Sequence, residues 1–77
     1  MTDPCKKYVK EASKKTSIFS RDYWTGALLF MRAAECYESS GDYDKAFDLA
    51  IKAANALRKY ASKFGYEFVI KDIEKAL

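Results

Sequence analysis

Ala33-Ala34-Glu35-Cys36-Tyr37-Glu38-Ser39-Ser40-Gly41-Asp42-Tyr43-Asp44-Lys45-Ala46 joins two apolar-faced segments across a very short break. Gly41 suits the left-handed position that ends a helix, and Asp42 suits the cap that starts the next one. Small residues recur where helix backbones approach each other, and aromatic residues recur where gaps need filling. Residues 23–64 therefore read as a helical hairpin, and the rest of the chain as helices flanking it.

Upstream of the break, eleven of the fifteen residues from Tyr23 to Tyr37 are apolar, interrupted only by Thr25, Gly26, Arg32 and Glu35. So wide an apolar surface predicts burial on more than one side. A helix over 22–39 is thus expected between two others, with Trp24, Leu28 and Met31 on one core line and Ala27, Phe30, Ala34 and Tyr37 on another. Downstream, Tyr43, Ala46, Phe47, Ala50, Ala53, Ala54, Leu57, Tyr60, Ala61 and Phe64 keep a helical period over 43–64. Lys59 and Lys63 sit favourably near the negative end of that helix, and Gly65 stops it.

Residues 66–77 predict a fourth helix, with Phe68 or Val69, Ile70, Ile73, Ala76 and Leu77 apolar. The pattern is still running at Leu77. The 77 residues are accordingly expected to be one domain, an N-terminal fragment of a longer α-solenoid, because a lone helical hairpin leaves an apolar end face.

Ahead of the hairpin, Asp3-Pro4 is a helix-start signal. Cys5, Tyr8, Val9, Ala12 and Thr16 form a narrow apolar stripe, which predicts a helix over 4–16. Lys6, Lys7, Lys10, Lys14 and Lys15 occupy much of the remainder, either as a solvated face or as a basic contact surface. The connection Ser17-Ile18-Phe19-Ser20-Arg21 carries two bulky apolar residues that continue neither neighbouring stripe. They either fold under and close the core or dip into a membrane interface while nearby cations meet anionic headgroups.

Composition narrows the function. The chain has no histidine, which removes the usual general base near neutral pH and the commonest metal ligand. Two distant cysteines make no zinc-site spacing. The three glycines form no phosphate-cradling loop. No catalytic residue, cofactor or metal is expected. No run approaches the ~20 apolar residues of a membrane-spanning helix, and the N-terminus lacks the pattern of a signal peptide. Cys5 and Cys36 are therefore expected as reduced thiols in a cytoplasmic protein. The net charge of +3 divides unevenly: residues 1–21 carry six Lys/Arg against two Asp/Glu, residues 22–50 two against six, and residues 51–77 six against three. Separate charged faces, rather than a uniformly basic nucleic-acid binder, are the expectation.

Against the tetratricopeptide pattern, Tyr37, Gly41, Tyr43, Ala46 and Ala53 match the turn and second helix. Phe30 replaces the usual first-helix Trp, Ala33 and Ala34 replace a Leu-Gly pair, and Arg58 stands where a closing proline is expected. These departures point to a longer-helix relative. The chain more closely resembles the N-terminus of soluble NSF attachment proteins, especially the gamma type. The resemblance rests on Asp3-Pro4, Lys6, Ala12, Lys14-Lys15-Thr16, Phe19, Arg21-Asp22-Tyr23-Trp24, Ala27, Leu29, Ala33-Ala34, Asp42-Tyr43, Lys45-Ala46 and Lys52-Ala53. It covers residues 2–55, in order.

The resemblance implies an all-α, tetratricopeptide-like fold and a cytoplasmic, peripheral-membrane adaptor. Such an adaptor lies along a SNARE helical bundle and recruits the AAA ATPase that disassembles it. The family's ATPase-recruiting part is C-terminal and lies beyond this stretch. The family's membrane-contacting loop corresponds to Ser17, Ile18, Phe19 and Ser20. Lys14, Lys15, Arg21, Lys52, Arg58 and Lys59 are the candidates for contact with an acidic partner or with lipid. The alternative resemblance is to a microtubule-interacting-and-trafficking domain, a three-helix bundle that binds amphipathic helical peptides. Its first two helices would fall on Ala33 to Leu57 and its third on 66–77, leaving residues 1–20 unexplained.

Overall fold

The computed structural model describes residues 3–64 together with 74 and 75. Among them the chain is all-helical, with α1 (Pro4–Lys15), α2 (Tyr23–Ser39) and α3 (Tyr43–Phe64). The expected limits 4–16 and 22–39 each shift by one residue, because Thr16 and Asp22 cap helices rather than belong to them. The expected helix over 66–77 lies outside the described residues apart from Glu74 and Lys75, which are helical.

Local chemistry sets the helix ends. Backbone N–H groups in the first turn of a helix have no intrahelical acceptor, and an aspartate supplies one at each start. Asp3 Oδ1 accepts from Cys5 N at 3.0 Å, Asp22 Oδ1 from Thr25 N at 3.2 Å and Asp42 Oδ1 from Lys45 N at 3.3 Å. At the end of α2, Gly41 has φ +84°. Gly41 N donates to Glu38 O (3.0 Å) and Asp42 N to Tyr37 O (2.9 Å). These two bonds are the Schellman pair that closes a helix around a left-handed residue.

Of α1, α2 and α3, the second is the middle one. α1 and α3 each pack on α2 and not on each other. The Cα atoms fill a slab of 42 × 31 × 14 Å, whose thin dimension is close to the ~10–12 Å diameter of one helix with its side chains. Cys5 and Ala12 of α1, Phe30, Ala33 and Tyr37 of α2, and Leu49 and Ala53 of α3 form the core. Where α1 crosses α2, a Cβ at Gly26 would collide with Cγ2 of Thr16 and lie 3.4 Å from the Ala12 carbonyl oxygen. Gly26 is what lets the two backbones approach.

Three expectations are corrected. Cys5 and Cys36 are not free thiols: they form a disulfide with Cα atoms 5.5 Å apart. The antiparallel packing of α1 on α2 brings the start of one beside the end of the other, which sequence spacing does not display. Trp24, Leu28 and Met31 are not core; each is about half exposed. On α3 the covered stripe is Leu49, Ala53 and Ala56, while Tyr43, Phe47, Ala50 and Ala54 face solvent. One reason covers both helices. Their apolar surface spans more of the circumference than a single layer of neighbours can cover.

Candidate functional site

The loop between α1 and α2 is held by its own backbone. Ser17 N donates to Lys14 O (3.3 Å), Arg21 N to Ser17 O (2.8 Å) and Asp22 N to Lys15 O (2.7 Å). Arg21 adopts φ +49°, a left-handed conformation that costs a non-glycine residue roughly 1 kcal/mol. That turn returns the chain to the end of α1. Ile18 and Phe19 are left at the tip, 75% and 92% exposed. They do not close the core.

Beside the tip lies an open cleft of about 530 Å³ lined by Ile18, Arg21, Tyr23, Lys59 and Ser62. Tyr23 and Lys59 also line an adjoining cleft of about 180 Å³ that reaches Thr16, Lys52 and Asn55. Lys59 Nζ stands 5.7 Å from the Tyr23 ring centroid, a cation–π distance. The three cations Arg21, Lys52 and Lys59 thus share one side of the slab. Lys14 and Lys15 are exposed in the last turn of α1, and Arg58 is exposed on α3 but lines neither cleft. The fold therefore gathers half of the six candidate cations beside the apolar tip. Lys6, Lys7 and Lys10 are likewise exposed on α1.

A second surface lies on the opposite side of α3. Lys52, Asn55 and Lys59 follow one helical line, and Ala50, Ala54 and Leu57 follow the line roughly opposite. The latter residues, with Met31 and Ala34 of α2, line a groove of about 310 Å³. Trp24 and Leu28 continue Met31 along α2, and Tyr43 and Phe47 continue Ala50 along α3. At the open end of α2 the Trp24 and Tyr60 rings meet at 5.4 Å between centroids. Sequence reading placed these residues in the core; exposure, which only the tertiary structure supplies, marks them as surface.

No group of three side chains able to hold a metal ion occurs among the described residues. No helix among them is long and apolar enough to cross a membrane. No family model, curated protein or solved structure matches the chain.

Proposed function

We propose that the chain is a non-enzymatic adaptor module of vesicle trafficking that meets a membrane surface through Ser17, Ile18, Phe19 and Ser20. In this reading its role is similar to that of the N-terminal region of a SNARE-complex-binding attachment protein. The observation that carries the reading is the near-complete exposure of Phe19 beside Ile18, on a loop with a hydrogen-bonded backbone and with Arg21 and Lys59 alongside. An exposed apolar tip is costly in water and favourable at the boundary between headgroups and acyl chains. Each nearby cation adds on the order of 1 kcal/mol of attraction to an anionic leaflet.

The same cations serve the partner side of the proposal. Arg21, Lys52 and Lys59 offer a basic strip to an acidic helical bundle, with Lys14 and Lys15 at its flank. The tetratricopeptide-like continuation into a fourth helix and a longer solenoid belongs to this proposal. So does recruitment of a disassembly ATPase through a region beyond these residues.

The test is flotation with vesicles containing about one-third anionic lipid, a proportion that gives the negative surface potential the basic strip would meet. Replacing Ile18 and Phe19 together by serine is expected to weaken vesicle binding at least about tenfold, since burying such side chains is worth roughly 1.5–3 kcal/mol each. The far-ultraviolet circular dichroism should not change, because neither residue supports the core. Undiminished binding by that double variant would reject the membrane loop.

A further inference from the structure

We infer that the groove between α2 and α3 is a docking site for a cationic amphipathic helix, on the face opposite the basic cleft. This goes beyond the membrane loop and basic strip of the adaptor reading, which lie on the other face. Met31 lines the groove with Ala50 and Ala54; Trp24 and Leu28 continue the Met31 line along α2, and Tyr43 and Phe47 continue the Ala50 line along α3. Trp24, Leu28, Met31, Tyr43 and Phe47 are each 45% exposed or more. So much contiguous apolar surface on a small chain marks an interaction site rather than the scattered exposure of ordinary surfaces. Its shape selects the occupant. Two helices side by side leave a straight trough, and its floor of Ala34, Ala50 and Ala54 lets a third helix approach at ~8–10 Å between axes. A helix laid into such a trough buries an apolar stripe at i, i+3, i+4 and i+7.

Charge selects the occupant's other face. Glu35 and Glu38 line the trough at the hairpin end, are exposed, and make no ion pair among the described residues. Arg58, on α3, lies toward the opposite end. A docked helix therefore carries Lys or Arg beside its apolar stripe where it passes Glu35 and Glu38. Docking buries those carboxylates, and cations opposite them offset the desolvation.

Trp24 is the chain's single tryptophan and lies on the α2 line that reaches the groove at Met31, so its fluorescence reports on that face of α2. The probes are two synthetic helical peptides of about 18 residues, the number that spans α2 at 1.5 Å per residue. They share one Leu/Ala stripe and carry either Lys or Glu on the remaining face. The Lys peptide is expected to give a saturable blue shift and to bind at least tenfold more tightly than the Glu peptide. The net charge of +3 works against that order, so non-specific attraction cannot produce it. Ala54→Asp should abolish the shift with circular dichroism unchanged, and the Glu35→Lys/Glu38→Lys variant should reverse the preference.

Equal affinity for both peptides, or no saturable shift, would overturn the inference. A doubling of mass in sedimentation equilibrium without peptide would instead make the occupant a second copy and overturn it. A Trp24 shift with vesicles that survives Ile18→Ser/Phe19→Ser would make the face a lipid surface, with the same consequence. The Ala54→Asp variant should still float with vesicles, so failure here and failure of the membrane loop are separable.

Discussion

Cys5 and Cys36, separated by 31 positions, are joined by a disulfide that fixes the first turn of α1 to the last turns of α2. Among the described helices α1 packs on α2 only, and this bond and the close crossing at Gly26 bracket that contact at its two ends. In the chain-entropy picture a loop of this length contributes about 3–4 kcal/mol by restricting the unfolded chain. That is a large share of what a domain this small can hold.

Reduction, or Cys36→Ser, is therefore expected to lower the unfolding free energy by about 3–4 kcal/mol. Urea titrations with and without reductant measure it, and thiol counting by mass spectrometry confirms the bond. Coincident midpoints would show that α1 is held by packing alone.

Gly26→Ala should cost roughly 1–3 kcal/mol, because the new methyl meets Cγ2 of Thr16 and presses on the Ala12 carbonyl. Thr16→Ser removes Cγ2 and keeps the hydroxyl that donates to Ala12 O at 3.0 Å. The double variant should thus recover part of the loss in denaturant unfolding. A Gly26→Ala protein as stable as the parent would contradict the close crossing.

Gly41→Ala tests a different kind of strain. Nothing lies within 4 Å of a Cβ placed there, so its expected cost of about 1–2 kcal/mol comes wholly from the left-handed backbone. Gly41→Asn should cost less, since asparagine tolerates that conformation better. Thermal or urea unfolding of the two variants gives the ranking.

Ala53 and Ala54 are neighbours with opposite fates: Ala53 is buried among the core residues and Ala54 is exposed in the groove. Ala53→Leu should destabilise by about 1–3 kcal/mol through overpacking. Ala54→Leu should stay within ~0.5 kcal/mol of the parent, as surface substitutions usually do. Equal costs in urea unfolding would mean that α3 is rotated from the arrangement described.

Much of this molecule is local and was legible as such. Asp3, Asp42 and Gly41 satisfy bare helix ends through atoms two to five residues away, so they mark the start of α1 and the α2–α3 turn from sequence alone, whereas the caps Thr16 and Asp22 read as helical. Cys5, Tyr8, Val9 and Ala12 form the covered stripe of α1, because a helix with one narrow apolar face has one way to bury it. The apolar loop tip was legible as a departure from both flanking stripes, though not whether it points inward or out.

Tertiary structure decided what depends on how many neighbours a helix has. α2 and α3 each carry more apolar positions than one layer of helices can cover. Periodicity could not say that Leu49 and Ala56 would be covered while Trp24, Met31 and Phe47 stayed in solvent. Only the antiparallel crossing set Cys5 against Cys36 and brought Lys59 of α3 beside Arg21 of the loop. The sequence by itself placed the ends of α1, α2 and α3 to within one residue, since hydrogen bonding at helix ends is short-range. Which faces remain for partners was settled by packing, because burial is a property of the neighbours rather than of the residue.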